Sequence, residues 1–134
     1  MTFESVANTI RSRFKAQIAD VYSLPTQYDN AGLDRPHALH GRLTIHWGDT
    51  EQVSLGAPAS RRFRTVGVMT VSLFVPVEYG DQPALEAADR ITTAFRGVEA
   101  SNVHFGTPSI VRVGRSESTW QINVHCPFWA DDLG

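Results

Sequence analysis

The sequence predicts an α+β fold, an antiparallel or mixed β-sheet with two α-helices packed on one face. Three observations carry that reading. Two segments repeat apolar residues at spacings of three and four, while others alternate with period two. Their order is helix, strand, strand, helix, strand, strand, which lacks the strict alternation of a doubly wound parallel sheet. The chain has 134 residues, 42% apolar and 19% charged, which suits one globular domain over 1–134.

The first helix spans 3–21. Phe3, Val6, Ala7, Ile10, Phe14, Ile18 and Val21 form one stripe, with Thr2 placed as N-cap. Arg11, Arg13 and Lys15 lie on its solvated side. Pro25 opposes further helix, and "PTQYDN" (25–30) then reads as a turn in which Asp29 or Asn30 bonds the backbone. From Ala38 to Trp47 the period becomes two, with Leu39, Leu43, Ile45 and Trp47 against His40, Arg42, Thr44 and His46. "GDTEQVSLGAPAS" (48–60) supplies loop chemistry around a short extended piece.

"TVGVMTVSLFVPV" (65–77) is the most apolar segment and reads as a long central strand. Met69, Val71, Leu73, Val75 and Val77 share one face, and Val66, Val68 and Phe74 leave the other only half polar. The second helix starts at Asp81 or Gln82, has Pro83 in its first turn and ends at Gly97. Its expected buried face is Leu85, Ala88, Ile91, Thr92 and Phe95. Two strands follow, about 108–114 and 118–128, joined by the turn "GRSES". In the last, Trp120, Ile122, Val124, Cys126 and Phe128 face one way, and Gln121, Asn123 and His125 the other. Two helices cover one sheet face, so the second needs a cover, for which a partner subunit is the natural choice.

Composition restricts the function classes. A net charge of −2 gives no global reason to expect nucleic acid as the main ligand. One cysteine excludes an internal disulfide, and neither a signal peptide nor a membrane-spanning run is visible, so a soluble protein of a reducing compartment is expected. His125 and Cys126 are strand neighbours pointing to opposite faces, which forbids a dyad between them. His40 and His46 share a face but stand about 20 Å apart at strand rise, too far for one ion. Asp49 and Glu51 flank a turn, Asp131 and Asp132 lie on the tail, and neither pair resembles apposed catalytic carboxylates. No phosphate loop or nucleophile elbow is present. The reading is therefore of a non-enzymatic protein with no catalytic residue, cofactor or metal. The basic cluster "RRFR" (61–64) is either a charged strand entrance or a contact with acidic protein or DNA phosphates.

Several segments together resemble a known family. Thr26, Tyr28 and Asn30 after an N-terminal helix, "QVSLG" (52–56), "RRFRTVGVMTVSLFVPVEYG" (61–80), "ALEAADRITTAFRG" (84–97) and "WQINVHCPF" (120–128) are similar in order and spacing to the tail-terminator-like proteins of long-tailed bacteriophages and prophages. The likeness spans almost the whole chain and is thinnest at 1–20 and 98–118. Tyr28 stands where that family more often has Trp. The resemblance implies a virion protein that forms a ring, most often a hexamer. Such a ring stops tail-tube polymerisation and offers a docking surface to the head or neck connector. It implies as partners other copies of the chain, the tail tube protein and the connector, with incidental DNA contact in the lumen and no membrane. Another neck or head-completion protein, or a small-molecule-binding α+β module, is the alternative. The expected interface residues are Tyr28, Asn30, Gln52, Arg61, Arg62, Arg64, Val66, Val68, Gln121 and Asn123.

Overall fold

The structure, a computed structural model, describes residues 3–22, 24–29, 39–52, 62–77, 80–116 and 119–133; the side chains of 51, 52, 62, 116, 132 and 133 are outside the described set. The chain runs through α1 (Phe3–Phe14), a π-helical turn (Lys15–Ala19), β1 (Thr26–Gln27), β2 (His40–Gln52) and β3 (Arg62–Pro76). It continues through α2 (Gln82–Phe95), β4 (Glu99–Ala100), β5 (Val103–Phe105), β6 (Ser109–Ser116) and β7 (Thr119–Leu133). The strands form one seven-stranded mixed sheet in the order β1-β2-β3-β7-β5-β4, with β6 also paired to β7. The fold is α+β.

The spine of the sheet is the antiparallel β3–β7 pair, in register from Arg62 opposite Leu133 to Pro76 opposite Thr119. Period two then decides the faces. Met69, Val71, Leu73 and Val75 of β3 are buried, and their register brings Cys126, Val124, Ile122 and Trp120 to the same side. α1 buries Val6, Ala7, Ile10 and Phe14 against this side, and α2 buries Ala84, Ala87, Ala88, Ile91 and Phe95. Phe14 and Phe95 stack at 6.4 Å, and Phe95 meets Phe105 edge-on at 5.0 Å, so both helices share one core with the sheet. Arg13 locks the helix ends together by donating to the Ala94 carbonyl from Nε at 3.2 Å and Nη2 at 2.7 Å.

Several expectations need correction. α1 gives way to the π turn, where the Asp20 N–H donates to the Lys15 carbonyl five residues back. The wider turn shifts the stripe's phase, and Val21 is exposed. Phe3 is also exposed, its ring edge-on to Trp47 at 5.0 Å. In α2 the buried stripe is rotated by one residue: Ala84 and Ala87 face the sheet, Thr92 is half-buried and Leu85 is 39% exposed. Small alanines let the helix approach closely, while the larger Leu85 points toward a hollow beside β6. Asp81 is the N-cap as expected, without a side-chain capping bond.

β2 does not end at Trp47. It continues to Gln52 through a bulge between Trp47 and Thr50, which keeps the loop-like "GDTEQ" paired to β3. "PTQYDN" is more than a turn, because Thr26 and Gln27 pair in parallel with Gly41 and Arg42 as the edge strand β1. Asp131 and Asp132 belong to β7 rather than to a tail. The short strands β4 and β5 are additional to the expected set. Thr2, Asn30, His37, Arg61 and "VSLGAPAS" (53–60) lie outside the described residues.

Candidate assembly surfaces

Among the described residues, no element covers the opposite face of the sheet. Register places His40, Phe74 and Gln121 in one row across it, followed by Arg42, Ser72, Asn123 and Val111. The next rows are Thr44, Thr70, His125 and Ser109, then His46, Val68 and Pro127, then Val66, Trp129 and His104. The middle is a hydrogen-bonded strip: Thr70 Oγ1 pairs with His125 Nδ1 at 3.0 Å, and the Gln121 amide donates to Asn123 Oδ1 at 2.9 Å. Thr70 and Ser72 are buried among their neighbours, whereas Val66 is 43% exposed. Phe74 has His40 stacked on it at 5.0 Å and the Arg42 guanidinium 5.4 Å from its centroid.

One end of this face is tied by aromatic stacking. Trp129 takes the His104 imidazole at 3.8 Å and 8°, and the Arg64 guanidinium at 3.9 Å from its centroid. Arg64 also grips Asp131 in a two-pronged ion pair, Nε–Oδ1 2.8 Å and Nη2–Oδ2 3.2 Å. The hydrogen bond to Asp131 holds the Arg64 pKa above its ordinary value. Arg64 is therefore paired within the chain at one end of this face. Trp129 and Asp131 continue the alternation of β7 past Phe128, whereas His104 sits on the three-residue β5, too short to show a period.

The expected interface residues separate into three groups. Val66, Val68, Gln121 and Asn123 gather on the bare face, with Arg64 at its end. Tyr28 lies elsewhere, packed partly buried against the core, and burial raises its phenol pKa, with Lys15 opposing and Asp20 adding. Gln52 and Arg62 close the ends of β2 and β3, opposite Phe63 and Leu133. Asn30 and Arg61 lie outside the described residues.

Cys126 is buried in the core, and burial pushes its thiol up to about 11, so it is protonated near neutrality. Among the described residues, no three His, Cys, Asp or Glu side chains gather to hold a metal. Among them, too, no helix is long and apolar enough to cross a membrane.

Comparison with known proteins bears on the fold. A solved chain that carries no functional name is similar at TM-score 0.67 and 15% identity, over 96% of this chain and 96% of that one. No family model and no curated protein matches the sequence.

Proposed function

We propose that the chain is a structural virion protein of the tail-terminator kind, forming a closed ring that caps a tail tube and receives the head or neck connector. The observation that carries this reading is the two-sided sheet. One face is sealed by two helices, while the other presents Val66, Val68, Gln121 and Asn123 with no covering layer among the described residues. Half-exposed apolar groups beside satisfied polar ones suit a protein interface better than a substrate pocket. The family resemblance of the motifs supplies the kind of assembly.

Capping follows from symmetry. A tube of stacked identical rings always presents an edge that recruits another ring. A terminator matches that edge on one side and fails to reproduce it on the other. No bond is made or broken, and the specificity lies in shape and hydrogen-bond complementarity. The test is polymerisation of the tail tube protein with and without this protein, followed by electron microscopy. Capped, shortened tubes support the reading. Unchanged tubes with binding to the portal or connector instead favour a neck or head-completion role.

A further inference from the structure

We propose that β6 is a docking strand whose bare edge pairs antiparallel with the distal half of β2, residues 46–52, of a second copy of this chain. This rests on the ring reading above and names the seam between its subunits.

The edge itself is the first observation. Among the described residues β6 pairs with β7 alone, and Ile110, Val111 and Val113 are 46%, 46% and 51% exposed. Three β-branched apolar residues on an open strand edge form a template for another strand. A hollow of about 720 Å³ adjoins β6 on the helix side, lined among others by Leu85, Ile110 and Trp120, with Arg112, Arg115 and Asp81 around it.

The opposite edge of the sheet is blunted over its first half. β1 covers Gly41 and Arg42, and the Asp29 carboxylate accepts the Ile45 N–H at 3.1 Å. Beyond Ile45 no strand pairs with the outer side of β2 among the described residues. That free half, "HWGDTEQ", carries Asp49 and Glu51 and no Lys or Arg. β6, "SIVRVGRS", carries Arg112 and Arg115 and no acid. Pairing β6 with itself would gather four arginines, whereas pairing it with β2 joins opposite charges. Trp47, 41% exposed on the helix side of β2, offers that side a bulky apolar group.

Direction and closure agree. Successive neighbours β2, β3, β7 and β6 are antiparallel, so β6 runs opposite to β2. Rotation about a ring axis preserves strand direction, which makes the β6–β2 seam antiparallel. The two edges are different surfaces at opposite ends of the sheet, and such a head-to-tail contact gives a ring when its rotation closes. β6 lies level with Thr119–His125 of β7, whereas the free half of β2 lies level with Pro127–Asp132. Neighbouring subunits are therefore staggered along the strands, as tilted strands in a closed barrel are.

Charge reversal tests the seam. One variant carries Arg112→Glu and Arg115→Glu, another Asp49→Arg and Glu51→Arg, each with its melting compared with wild type. Sedimentation velocity should show each variant alone as monomer and their equimolar mixture at the wild-type ring mass, because alternating subunits restore every seam. Hydrogen exchange on wild type gives a readout free of folding effects, with 109–116 and 46–52 gaining protection as rings form. Assembly of wild type without that protection, or unchanged mass in either variant, overturns the seam and leaves the ring reading standing. Wild type that stays monomeric, both at its highest soluble concentration and with tail tube protein, overturns both.

Discussion

Gly67 lies opposite Phe128 across the β3–β7 pair, and the Phe128 ring occupies the space where a side chain on Gly67 would stand. A Cβ there would meet Phe128 Cζ and the His46 carbonyl, each at 2.6 Å. Trp47, opposite Gly67 on β2, reaches Phe128 edge-on at 5.9 Å and 88°. Two rings on flanking strands thus pack over a glycine that leaves them room. Gly67→Ala is expected to cost about 1–3 kcal/mol, because a tight core does not yield to an added methyl. Urea unfolding measures it, and a change below about 0.5 kcal/mol would mean the ring simply moves aside.

Asp29 substitutes for a missing strand by accepting the Ile45 N–H at 3.1 Å, and it also meets Arg11 Nη2 at 3.5 Å. The Arg11 contact is one-third exposed on both sides and contributes little. Asp29→Ala should therefore lower stability by about 1 kcal/mol and speed exchange of the Ile45 amide. Asp29→Asn, which keeps an accepting oxygen, should lose less. Equal exchange rates in the two variants would show that the carboxylate is not the acceptor that matters.

Cys126 links stability to alkaline pH. Burial moves its thiol from 9.0 to about 11, so the folded chain holds the proton more tightly than the unfolded one. Its contribution is complete below pH 9 and is lost as pH rises through 11. The slope is at most about 1.4 kcal/mol per pH unit. The comparison to make is wild type against Cys126→Ala, since arginine, lysine and tyrosine titrations are common to both. Parallel stability curves between pH 9 and 11 would contradict the burial account.

The bare sheet face should separate assembly from folding. Val66→Asp with Val68→Asp places charge where no covering layer lies among the described residues, so melting should change little while binding to tail tube protein rings falls. Loss of folding together with binding would mean that these valines serve the core.

The sequence made much of this fold legible, and the failures have causes. Period two in 65–77 and 118–128 placed the two central strands and their faces, because each strand has one side buried. Val66 and Val68 were found for the same reason, as apolar residues on the wrong side for the core. β1, β4 and β5 carry two or three residues each, too few to show a period. Leu85 misled because α2 seats its alanines against the sheet, and no stripe distinguishes a small residue chosen for closeness from a filler. "GDTEQ" looked like a loop since a bulge, not composition, keeps it paired. The hexapeptide "PTQYDN" held both an edge strand and an edge cap, features that depend on where β2 runs rather than on local chemistry.

Closure of the chain into a ring is tested by electron microscopy of the purified protein, alone and mixed with tail tube protein. Six-fold rings, and tubes ended by one such ring, are expected. Featureless monomers that leave tube growth unchanged would contradict closure.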